Sequence, residues 1–182
     1  MCIRDSFRAG FSAAAARKVT GCSLLELVGL VDKSLLQRTD ERFQLHPLLQ
    51  QYGLEQLEEV PEEKTAVSRQ LVAYFAQQLA QLAPDFKSSR QKTAVQTMET
   101  DAENIRFAWQ WAMHRQEYDL LAQMIVSFIA WHHLTNRYQA LGQELQAVNV
   151  ALEAEPPGVG QRLVLLALLW QAAAALELGD VD

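Results

Sequence analysis

The chain has 182 residues and a formal net charge of −6; 49% of its residues are hydrophobic and 21% charged, the make-up of a globular protein of one domain or two small ones rather than a disordered one. The charge is uneven: residues 1–91 hold 11 basic and 11 acidic side chains, residues 92–182 hold 5 and 11. An acidic second half repels phosphate backbones, and 8 Gly with 5 Pro leave few turns for an all-β fold.

From the N-terminus, residues 1–6 fit nothing that follows and resemble translated adapter sequence, so they read as a possibly foreign leader. Residues 12–20, rich in alanine, predict a short helix closed by Gly21. Ser23-Leu24-Leu25-Glu26 is a capping box, and Leu24, Leu25, Leu27, Val28 and Val31 supply the apolar face of a helix to about Lys33. Leu35–Arg38 and Arg42–His46, around the polar link Thr39-Asp40-Glu41, predict a β-hairpin. Pro47 suits the first position of a closing helix, which Leu48, Leu49, Tyr52, Leu54 and Leu57 carry to about Glu59. Helix, helix, hairpin and closing helix make a winged-helix unit over residues 7–60.

Val60-Pro61 breaks the chain, and from there the pattern is helical. Val67, Leu71, Phe75, Leu79 and Leu82 mark one face of a helix from about 62 to 83, ended by Pro84-Asp85-Phe86. Thr100-Asp101-Ala102-Glu103 reads as a second capping box. It opens a helix with Ile105, Ala108, Trp109 and Ala112 inward, and Phe107 and Trp111 on a second covered face. Further helices are expected at about 117–133, 136–154 and 159–178. Antiparallel helices with short links form either a tetratricopeptide-like α-solenoid or a closed bundle. The fold class is thus mainly α: a winged-helix unit with a small hairpin, then tetratricopeptide-like helical hairpins over 61–182. Both ends read as cut.

Few residues carry chemistry. The chain has no G-x-x-x-x-G-K-[ST], G-x-G-x-x-G or G-x-S-x-G sequence, so no ATP hydrolysis is expected of it. Adjacent His132 and His133 diverge by about 100° on a helix and do not make a metal pair; His114 stands alone. Glu58, Glu59, Glu62 and Glu63 read as dipole-favoured acids near a helix start rather than an acid–base pair. Arg17, Lys18, Lys33, Arg38 and Arg42 dot the winged-helix region, but the helix that would read DNA bears Glu26 and Asp32, which disfavours direct DNA binding. Trp109, Trp111, Trp131 and Trp170 read as core or groove-lining residues rather than base-stacking platforms. Cys2 and Cys22 provide no disulfide framework and point to a reducing, cytoplasmic compartment. The start of the chain lacks a secretory signal, and the longest apolar run, Leu163–Leu176, is shorter than the ~20 residues of a membrane span.

Three segments, Phe7–Ser12, Leu30-Val31-Asp32-Lys33-Ser34-Leu35-Leu36 and Arg42–Tyr52, together resemble the winged helix that follows the P-loop core of bacterial signal-transduction ATPases with numerous domains (STAND proteins). Glu99–Trp109 resembles the E-x-D-N-h-R-x-A-h signature (h, apolar) of their helical sensor region. The resemblance implies a non-catalytic regulatory piece of a larger ATPase: a winged helix that locks the nucleotide state and an arm that senses a protein or small inducer. It also implies that His46, at the start of the last winged-helix helix, contacts the phosphates of ADP bound to the protein's own upstream ATPase core. The family's commoner sequence there is Met-His-Asp, whereas this chain has Leu45-His46-Pro47 and lacks the acid. A free-standing helical scaffold for protein partners and a winged-helix DNA-binding regulator are the alternatives.

Overall fold

A computed structural model describes residues 7–46, 48, 49, 51, 52, 55 and 61–153, the side chains of 149 and 151–153 excepted. Among the described residues the protein is mainly helical, with seven α-helices and one small three-stranded antiparallel sheet. None of these helices is long and apolar enough to cross a membrane. Two compact units divide the chain: residues 1–75 with 101–108, and residues 76–100 with 109–182.

In the first unit, β1 (Phe11–Ser12) leads directly into α1 (Ala13–Thr20). Ser12 caps that helix through Oγ, which accepts from Ala15 N at 3.1 Å, and Gly21 closes it at a φ of 74°. The helix α2 (Leu24–Asp32) opens on the expected capping box: Ser23 Oγ accepts from Glu26 N, and Glu26 Oε2 accepts from Ser23 N at 2.7 Å. β2 (Leu36–Thr39) and β3 (Arg42–Leu45) follow, with Thr39 paired to Arg42 and Gln37 to Gln44. The hairpin link is therefore two residues rather than three. Asp40 takes the positive φ of 55° that such a tight turn requires at its first central position. The strands run in the order β1-β3-β2, with Phe11 opposite Phe43.

Leu48, Leu49, Gln51, Tyr52 and Glu55 are helical, in keeping with the expected closing helix; its remaining positions, including Pro47, Leu54 and Leu57, lie outside the described residues. The core of the first unit includes Phe7, Phe11, Ala16, Val19, Leu27, Leu36, Phe43, Val67 and Leu71. Its α2 departs from expectation. Leu27 is the buried residue of that helix, while Leu24, Leu25 and Val28 are exposed.

The helix α3 (Pro61–Leu82) buries Val67, Leu71, Phe75 and Leu79, as its periodicity predicts. A 3-10 turn, Ala83–Lys87, follows it, and Phe86 in that turn is buried. The helix α4 (Gln91–Thr100) was not signalled by the sequence pattern: it buries Ala94 and Met98, leaves Val95 half-buried and is otherwise polar. Thr100 accordingly ends α4, with its hydroxyl donating to Gln96 O, and does not open the next helix as a capping residue. That next helix, α5 (Ala102–His114), begins beyond Asp101 and has Ile105, Ala108, Trp109 and Ala112 buried.

In the second unit, α6 (Tyr118–Leu134) and α7 (Tyr138–Glu153) pack together. The links before each use the same turn. Gln116 and Asn136 both adopt a φ of 56°, and the following residue donates back five positions, Glu117 N to Ala112 O at 2.9 Å and Arg137 N to His132 O at 2.8 Å. This is the Schellman closure, made here without glycine. Ser34 closes α2 in the same way, with a φ of 57° and Leu35 N donating to Leu30 O. The helix expected at 159–178, with Trp170, lies outside the described residues.

Candidate functional site

Among the described residues, three places concentrate polar or exposed groups beyond what packing requires. The first is His46, where the chain leaves β3. The residue is exposed; its Nδ1 accepts from Leu48 N at 3.3 Å, and its carbonyl accepts from Leu49 N at 2.9 Å. The imidazole thus caps the helical residues that follow, and its Nδ1 must be unprotonated to do so, which puts the neutral ring's proton on Nε2.

The second is the outer face of α2. Leu25 is 81% exposed and Leu24 59%, beside the exposed Glu26 and Val28. Leu35, just beyond the helix, is also exposed. Hydrogen bonds from Ser23 hold the Glu26 carboxyl below the usual carboxylate range. Large contiguous apolar patches are uncommon on a monomeric surface, and here Leu24 and Leu25 lie exposed side by side at the helix start. Among the basic residues of this unit, Arg17, Lys18 and Lys33 are exposed, Arg38 donates to Asp40 O, and Arg42 is engaged within the unit.

The third is a polar cluster around Asn104, which is fully buried. Its Oδ1 accepts from Arg8 N at 2.9 Å and Ala9 N at 3.2 Å, and its Nδ2 donates to Gly10 O at 3.2 Å and Asp101 Oδ1 at 3.3 Å. Arg42 Nη2 donates to Asp101 Oδ1 at 2.7 Å and also to Gly10 O. One turn further along α5, Phe107 lies under the Arg8 guanidinium at 4.3 Å. Tyr74 adjoins the cluster, bonded to Ser12; burial pushes its phenol above the usual value.

In the second unit Phe86, Trp109, Tyr118, Phe128 and Trp131 are core. Trp109 stacks on Phe128 with centroids 4.2 Å apart and planes 3° from parallel, and Trp131 meets the same ring at 69°. Both indoles are tied down by carboxylates: Trp109 Nε1 donates to Glu144 and Trp131 Nε1 to Glu99, each at 2.8 Å. Arg137 also bonds Glu99. His132 is buried against Phe128, with Nδ1 2.8 Å from that residue's carbonyl oxygen, whereas His133 packs edge-on to Tyr138. No three metal-binding side chains come together among the described residues. His114 is exposed, and Trp111 is half-buried beside Arg115. Glu62 and Glu63 lie exposed in the first turn of α3; Glu58 and Glu59 are outside the described residues.

The residues of the E-x-D-N-h-R-x-A-h stretch thus divide by role. Glu99 anchors Trp131 and Arg137, while Asp101 and Asn104 hold the segment before β1. Sequence reasoning missed the second role. The available signal was an amide three residues after an aspartate, at the start of a helix. Comparison of the chain with protein-family models, curated proteins and solved structures finds no match.

Proposed function

We propose that the chain is a non-catalytic regulatory piece of a STAND-type signal-transduction ATPase, with a winged-helix unit over 7–60 and a tetratricopeptide-like sensor arm over 61–182. The order β1-α1-α2-β2-β3, with β3 central in the sheet, supports a winged-helix reading of the first unit. The observation that carries the function is the exposed face of α2. A DNA-reading helix presents polar, cation-rich side chains to base edges and phosphates. Here Leu24, Leu25 and Val28 are exposed instead, beside the acids Glu26 and Asp32. That face suits a protein surface, and in this reading the surface is the parent's own ATPase core.

His46 supports the same reading, as an exposed imidazole whose Nδ1 is already engaged by Leu48 N and whose Nε2 proton suits a phosphate oxygen. ATP and ADP would bind the parent's core, not this chain. A protein or small inducer on the helical arm would act by binding one arrangement of the parent more tightly than another.

The test is to sequence the source locus across both ends of the reading frame. An in-frame P-loop segment upstream is expected; a start codon near residue 1 with no ATPase upstream would remove the nucleotide mechanism and favour the free-standing scaffold. Titration with a labelled DNA duplex separates the third reading, since affinity that falls steeply with salt would restore DNA binding.

A further inference from the structure

The geometry points to a latch in the first unit: Asn104, backed by the Asp101–Arg42 pair, is the catch that holds residues 7–10 as a separately releasable strap on the edge of the sheet. Nothing in this latch depends on the family proposed above.

The strap lies outside the helices and strands, and the amides of Arg8 and Ala9 donate to one side-chain oxygen rather than to a β-ladder. A side-chain amide can accept two hydrogen bonds and donate two. Asn104 uses all four, three of them on strap residues and the fourth on Asp101. One buried side chain therefore sets the backbone pairing of three consecutive residues. Gly10 adds a steric condition: a Cβ there would lie 3.3 Å from Phe43 O, so the strap runs tight against β3. Gly10 O receives a second donor, Arg42 Nη2.

Two features set the strap apart from the rest of the unit, so that its opening draws Phe7 alone out of the core. It leads into β1, a two-residue strand at the edge of the order β1-β3-β2, so its departure leaves the β2–β3 ladder intact. The Arg42 and Asp101 side chains that brace the catch are 29% and 24% exposed, within reach of water and ions. Apolar contacts, Phe7 stacked on Phe11 at 4.6 Å and Arg8 on Phe107, hold the strap down when the latch is closed. Opening unties residues 8–10 from the first turn of α5.

Amide hydrogen exchange on the full chain tests this. In Asn104→Ala the Arg8 and Ala9 amides should exchange about tenfold faster or more, while the β2–β3 amides keep their protection. Equal acceleration of strap and hairpin would overturn the latch, since Asn104 would then hold the whole unit. So would an unchanged strap. Should Asn104→Ala fail to fold, Asp101→Asn keeps the catch but removes the charge that braces Arg42. A rise of about two- to threefold confined to the strap is then expected, and a uniform rise or none counts against the latch.

Discussion

Two apolar helices of this protein meet opposite fates. In α6, the residues Leu121, Met124, Ile125, Phe128, Ile129 and Trp131 are buried, and even Ser127 is covered, with its hydroxyl donating to Leu79 O. In α2, a sequence richer in leucine and valine buries Leu27 and exposes Leu24, Leu25 and Val28. A helix that is apolar on every side is ordinarily a covered helix. Composition states that a helix needs covering, and the rest of the chain decides whether it is covered from within. The second unit supplies Trp109 and the helices around α6; the first unit spends its core on Phe7, Phe11, Leu36 and Phe43 and leaves one face of α2 exposed. In the function proposed above, that exposed face is the one that meets a partner.

The largest expected effect breaks the covered side of this comparison. Trp109→Ala removes the ring stacked on Phe128 and strands Glu144, so it should cost about 3–5 kcal/mol on chemical denaturation. A loss below about 1 kcal/mol would show that the aromatic stack does not organise the second unit.

A smaller effect sharpens the other side. Ser23→Ala removes the cap that starts α2 and should cost about 1 kcal/mol, because helix α2 depends on its cap more than on burial. The same cap has a pH signature. The Glu26 carboxyl is held below its usual value by Ser23, so its contribution is present above the ordinary glutamate value of about 4.3 and is lost as pH falls through the lowered one. Acid titration of Ser23→Ala should show that component reduced, because the hydroxyl is lost while the backbone N–H of residue 23 still donates to Glu26. An identical acid profile in both proteins would mean that the box is not formed in solution.

Much of this architecture was legible. Regular spacing of large apolar residues marked the helices at Pro61–Leu82, Tyr118–Leu134 and Tyr138–Glu153, and the Ser23–Glu26 box marked the start of α2, since each signal lies within a few residues of what it controls. What was missed depends on distant partners or short elements. The helix Gln91–Thr100 has two buried residues and no stripe to read. The strand Phe11–Ser12 exists because Phe43 and Arg42 pair with it. Asn104 gains its role from backbone groups 94–96 residues earlier. The outward face of α2 was misread for a related reason: periodicity locates an apolar face but does not say whether the same chain covers it. His46 was legible as a residue of interest through the resemblance alone, and locally it is a helix cap.

The most direct test of the central claim is the folding stability of the double variant Leu24→Gln, Leu25→Gln, measured by denaturant titration of the full chain. If the face is unspent, two leucines can become polar with a change below about 0.5 kcal/mol, as for ordinary surface positions. A loss of about 2 kcal/mol or more would mean that these leucines are covered by the protein itself, and would overturn the proposal that α2 is a docking face.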